Sequence, residues 1–206
     1  MTHLRSHVDW FTADAPDAGG DRPPRYRRPH PERVALVPLP LFREPAQAEA
    51  IARTVANSGE RCLLGGFIHS SNWDATAMEN LLYSAARWDL DLDLHIDEEL
   101  SEVSQGLTWL ADHLSRPPFP GHICCSHGCA LAAGSDEQAA PILRQLAAHG
   151  VTLIALPMTN LLLQDATFGR TPRQRGSPCC TGAGRRRGHP ARLRQRAGCL
   201  LPGGEL

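Results

Sequence analysis

Between residues 33 and 159, short apolar runs alternate with longer amphipathic segments, and no other feature constrains the fold as much. The strand-like runs are RVALVPL (33–39), CLLGGFIH (62–69), the start of LDLDLHIDEEL (90–100), HICCSHGCAL (122–131) and VTLIALPMT (151–159). Helical composition or spacing marks the segments between them: EPAQAEAIARTVANSG (44–59), WDATAMENLLYSAARW (73–88), LSEVSQGLTWLADHL (100–114) and SDEQAAPILRQLAAHG (135–150). Gly59 is a plausible stop for the first helix, and Ser71, Asn72 and Asp74 are candidate caps for the second. No two runs are joined by a two-residue hairpin signal, so the strands are expected to be parallel, with helices as crossovers. Runs that are apolar on both faces fit a sheet covered by helices. The repeat of roughly 28 residues suits either a barrel or a doubly wound sheet, and no Gly-rich phosphate loop supports the second. The Pro/Gly-rich segment 13–32 reads as a long loop.

The chain has 206 residues, enough for one domain with a real core. A formal charge of -1 supplies no electrostatic case for nucleic acid or an anionic membrane as a partner. No run approaches the roughly 20 apolar residues of a membrane span, and the N-terminus lacks the basic-plus-apolar pattern of a signal peptide. Those features make a cytoplasmic protein the expectation. All of the basic side chains among the 21 Lys and Arg are arginine, which suggests a GC-rich coding sequence and has no physical explanation. The seven cysteines cannot all pair with one another. Cys124, Cys125 and Cys129, with His127, lack the CxxC spacing of a zinc ribbon, and buried thiols on a strand are the simpler reading.

In parallel α/β architectures chemistry collects at the C-terminal ends of strands. Several strands here end in polar groups: His7 and Asp9, His69, His95 with Glu98, Ser126 and His127, and Thr159 with Asn160. One such histidine is usually a hydrogen-bonded structural residue. Four on successive strands favour a divalent metal that lowers the pKa of water. His95 and Glu98 are three residues apart, so both can face one cavity at a strand end. Asp91 and Asp93 alternate with Leu90, Leu92 and Leu94, and read as edge or helix-facing acids in solvated or hydrogen-bonded roles. Glu99 and Glu102 read as acids of the first turn of the next helix.

Three motifs carry a resemblance. LHIDEEL, CCSHGCAL and ALPMTNLLLQ…RTPRQRG, in that order, resemble the cytosine deaminase-like branch of the amidohydrolase superfamily, whose members are metal-dependent (β/α)8-barrel hydrolases. LRSHVDW resembles that family's second barrel strand. The resemblance implies an α/β fold, an incomplete (β/α)8 TIM-type barrel of about strands 2–7 over residues 1–175. It implies that His95 is a metal ligand, that Glu98 is the acid/base moving a proton from water to the ring or leaving group, and that His127 orients and deprotonates that water. Asn160 and Gln164 match positions near the substrate. The implied cofactor is zinc or iron. The implied reaction is hydrolysis of a C–N bond in a cyclic amidine or other N-heterocycle, such as cytosine or a triazine.

The chain also departs from that pattern. The family's HxH metal pair has no counterpart here, Leu39 stands where a substrate-binding glutamine is expected, and no strand-8 aspartate follows. Metal binding is therefore expected to be weakened, and an open barrel is expected to leave edges that favour oligomers. The Arg/Gly-rich tail, 176–206, breaks the alternation and is expected to be irregular; a one-base shift near codon 176 would restore a barrel-like ending. The rival expectation is a non-catalytic remnant, or a pseudoenzyme that partners a second chain.

Overall fold

In the computed structural model of the protein, the described residues are 3–10, 30–59, 61–100, 103–114 and 118–156. They divide between two compact units: Met1–His95 with Pro118–Ile123, and Ile96–Pro117 with Cys124–Leu206. Asn160, Gln164, most of the 13–32 segment and the 176–206 tail lie outside the described residues.

The first unit contains strands β1 (His3–Asp9), β2 (His30–Pro38), β3 (Cys62–Ile68) and β4 (Leu92–Ile96), side by side in that order; the last residue of β4 belongs to the second unit. β1 and β2 are parallel with His7 opposite Val34, and β2 and β3 are parallel with Leu36 opposite Gly65. β2 begins at His30 rather than Arg33, because its pairing with β1 extends into the segment expected to be loop. Helices α1 (Pro45–Asn57) and α2 (Ala75–Arg87) pack against each other, and α1 also packs against β3. The core consists of aliphatic side chains from both layers, among them Val34, Val37, Ile51, Leu64, Leu81 and Leu92. Burial of side chains of this size contributes about 1.5–3 kcal/mol each. Of the three candidate caps, Asp74 is the one used by α2: its carboxylate accepts from Ala77 N at 3.0 Å, and Arg43 donates to it at 2.7 Å. Ser71 and Asn72 instead belong to a 3-10 turn, Ser70–Asn72.

The second unit contains α3 (Gln105–His113), β5 (Ile123–His127), α4 (Cys129–Ala133), α5 (Asp136–Ala148) and β6 (Thr152–Ile154); the first residue of β5 belongs to the first unit. β5 and β6 are parallel, Cys125 lies opposite Leu153, and α3 packs on α5. The run 122–131, expected as one strand, is a strand followed by a short helix. His127 (φ 77°) and Gly128 (φ 63°) both take left-handed backbone angles, which end the strand. Residues after 96 also depart from expectation: α3 starts at Gln105, so Glu99 precedes the helix instead of joining its first turn. Among the described residues, no helix is long and apolar enough to cross a membrane.

Candidate functional site

Two clusters of polar side chains stand at strand ends, one in each unit. In the first unit, Asp93 lies on β4 two residues before His95, and a strand's period of two puts both on one face. His7 of β1 meets that face, with its ring centroid 4.6 Å from that of His95 in an edge-on arrangement. Strands β1 and β4 are separated by two others. In a flat sheet they would stand roughly 14 Å apart at about 4.8 Å per spacing. The four strands must therefore curl to bring these rings together, as strands of a barrel do.

Asp93 is only 1% exposed and is surrounded by cations or potential cations. Arg5 Nη1 donates to Asp93 Oδ2 at 2.6 Å, and His7 Nε2 lies 3.4 Å from Oδ1. Glu32 holds the other side of Arg5, accepting from Nε and Nη2 at 2.9 Å. Burial raises the Asp93 carboxyl's pKa, but His7 and Arg5 together outweigh that effect and hold it below the ordinary value of 3.8. One donor atom each from His7, Asp93 and His95 lies within 4.8 Å of the others, a set able to hold a metal ion. The sequence reading placed Asp93 at an edge or facing the helices; the structure buries it beside His95. It had anticipated the hydrogen-bonded role.

In the second unit, Glu98 Oε1 lies 3.4 Å from His127 Nδ1, with His127 4% and Glu98 23% exposed. Two residues at this site have unusual backbones. His127 ends β5 at φ 77°, and Asp97, directly before Glu98, sits at φ 53°. Such angles cost of order 1–3 kcal/mol unless neighbouring structure enforces them. Here hydrogen bonds do so: Gly128 N donates to Ile96 O and Ala130 N donates to Asp97 O, each at 3.0 Å. The buried Asp97 carboxylate accepts from Gly106 N and Leu107 N at 2.9 Å and from the Ser104 hydroxyl. It thereby satisfies the first amides of α3, which Ser104 itself does not cap. Burial pushes the Asp97 carboxyl above 3.8, against the lowering effect of those three hydrogen bonds.

The structure thus pairs two of the expected residues, Glu98 and His127, and sets His95 beside His7 and Asp93. His69 does something else: its ring accepts from Ser71 N at 3.3 Å, capping its own turn. Cys124, Cys125 and Cys129 are buried thiols, and among the described residues they belong to no three-donor cluster. Sequence reasoning missed Arg5 and Asp97, and it missed the burial of Asp93 beside His95. The period of two in LDLDLH was the available signal for Asp93, since it groups Asp93 with His95. Nothing local marked Asp97, whose partners lie seven to ten residues later, at the start of α3.

No family model matches the chain. Over 146 residues, 70% of the chain, it is 36% identical to a pterin deaminase of Rhizobium rhizogenes, of whose length it spans 33%. Its fold is similar to that of 5-methylcytosine deaminase from Klebsiella pneumoniae liganded with 5-fluorocytosine. The TM-score is 0.58 and the identity 21%, covering 73% of this chain and 37% of that one. The same deaminase liganded with phosphonocytosine gives a TM-score of 0.50 at 15% identity, covering 73% and 45%. At these identities the structural likeness shows the fold, the parallel α/β barrel type expected from the sequence. In sequence over most of its length, and in fold, the chain resembles the cytosine deaminase-like branch of the amidohydrolases.

Proposed function

We propose that the chain carries part of a hydrolytic deaminase site for an amino-substituted N-heterocycle of the pterin or aminopyrimidine class. The observation that carries this reading is the Glu98–His127 carboxylate–imidazole pair, 3.4 Å apart at the end of β5, in a chain similar to deaminases. The His7–Asp93–His95 group has the donor chemistry that a divalent metal requires: two imidazoles and a carboxylate. His95 is the ligand expected from the family motif, and a zinc or iron ion there would supply Lewis-acid activation of water.

The chain's own residues do the rest. Glu98 accepts a proton from water as its oxygen adds to the ring carbon bearing the amino group. It passes that proton to the ring nitrogen and then carries the second water proton to the departing amino group, so that the C–N bond breaks and ammonia leaves a ring carbonyl. His127, its Nδ1 facing Glu98, orients the attacking water and helps to deprotonate it. Asn160 and Gln164 contact the heterocycle. By sequence, residues 1–175 are assigned to the barrel segment and 176–206 to a separate Arg/Gly-rich tail. The compartment is the cytoplasm, and the substrate is a small molecule.

Ammonia release from pterin and from cytosine, measured on the zinc- or iron-loaded chain, tests the reading. Turnover of either compound, reduced about 100- to 10,000-fold by Glu98→Gln with the fold intact, is expected. A loaded, folded chain that releases no ammonia from either would leave the non-catalytic reading instead, in which the segment partners another chain.

A further inference from the structure

Among the described residues, three non-glycine residues take left-handed backbone angles, and two of them stand at the Glu98–His127 pair: Asp97 (φ 53°) and His127 (φ 77°). Such angles persist only where the surroundings enforce them. Asp97 is held from two sides. Its carbonyl oxygen accepts from Ala130 N at 3.0 Å, which ties the end of β4 to the start of α4, just beyond His127. Its buried carboxylate accepts from Gly106 N and Leu107 N at 2.9 Å and from the Ser104 hydroxyl. The residue that leads the backbone into Glu98 is therefore joined to α3 on one side and to the His127 turn on the other.

Gly106 is an independent sign that this junction is close-fitting. A Cβ there would come within 2.6 Å of Ile96 Cγ1, 2.8 Å of Ile96 Cδ1 and 2.9 Å of Asp97 Oδ1. The first turn of α3 lies directly against the last residue of β4 and the Asp97 carboxylate. Ordinary capping has no need of this. Ser104 occupies the N-cap position of α3 and makes no capping bond there, although serine at that position commonly serves the first amides. The helix instead takes its cap from the residue next to Glu98.

We propose that Asp97 is the positioning residue for the Glu98 acid/base: its carboxylate, locked to the first turn of α3, holds the backbone angle that sets Glu98 against His127. This rests on the deaminase reading above and adds to it a residue that acts through Glu98. A displaced carboxylate then shows at Glu98 as lost alignment, and misplacement by about 1 Å can cost about 100-fold in rate.

The test joins steady-state kinetics of the zinc-loaded chain, with pterin and cytosine as substrates, to heteronuclear NMR of labelled histidine rings in the metal-free chain. Asp97→Gly keeps the left-handed backbone accessible and removes the carboxylate, whereas Gly106→Ala keeps the carboxylate and pushes it aside. Both are expected to lower kcat about 10- to 100-fold while KM stays within about threefold. Asp97→Asn retains one acceptor oxygen and should fall between them and wild type. The His127 ring resonances, assigned by their loss in His127→Gln, should move in both variants toward their positions in Glu98→Gln. Circular dichroism checks each fold, and if Asp97→Gly fails to fold, Asp97→Asn carries the comparison. Folded variants with wild-type kcat and wild-type His127 resonances overturn the proposal and leave Asp97 as a helix cap; so does a change confined to KM. Wild-type chain that releases no ammonia overturns the deaminase reading instead, and the His127 resonances, moved or unmoved, then decide by themselves whether Asp97 sets the pair.

Discussion

Asp93 within β4 and Asp97 directly after it are both buried carboxylates, yet their environments push them in opposite directions. Asp97 satisfies backbone amides of α3 from the interior, so Asp97→Ala should strand the Gly106 and Leu107 amides. A loss of about 1–3 kcal/mol in urea unfolding is expected, with Asn costing less because it keeps one acceptor oxygen. Asp93 is held below 3.8 by His7 and Arg5. A depressed folded pKa contributes stability that is present above the unfolded value and lost as pH falls through the folded one. The urea midpoint should therefore drop on acidification below about pH 4, and Asp93→Asn should flatten that part of the profile. His95, Glu98 and His127 were recognisable in the sequence because their motifs are local. Asp93 was recognisable only in part. Alternation tells which residues share a face, but not which face is inside.

At the scale of elements, Gly65 shows why β3 needs a residue with no side chain. A Cβ there would come within 2.6 Å of Val34 Cγ1, 2.8 Å of Ala35 O and 3.1 Å of Asp93 O. Two of these atoms are backbone and cannot turn aside, so Gly65→Ala should cost about 1–3 kcal/mol and lower the thermal midpoint. Helix limits were readable where a cap is encoded nearby. Ser135 caps α5 by accepting from Gln138 N, and Gln138 reciprocates at the Ser135 amide. They were not readable where the cap is distant. The start of α3 at Gln105 depends on Asp97, and the end of β5 depends on bonds from Gly128 and Ala130 to the end of β4.

At the scale of the whole molecule, metal binding and folding should be linked. An ion that binds only the folded chain stabilises it by about 2.7 kcal/mol at 100 times its Kd. Zn2+ should raise the thermal midpoint saturably in wild-type chain and not in His95→Ala. A midpoint that rises equally in both would place the ion elsewhere. The amino-acid sequence by itself determined the alternation of strands and helices, the parallel order, and the motifs containing His95, Glu98 and His127. Each of these depends on near neighbours: a period of two or 3.6, a cap, a short motif. The tertiary structure alone decided that His7 meets Asp93 and His95, because that contact requires a sheet curled across four strands. It also decided that Arg5, far away in the chain, selects which Asp93 oxygen faces His7. Curvature and long-range ion pairing arise from the packing of whole layers, and no window of sequence contains them.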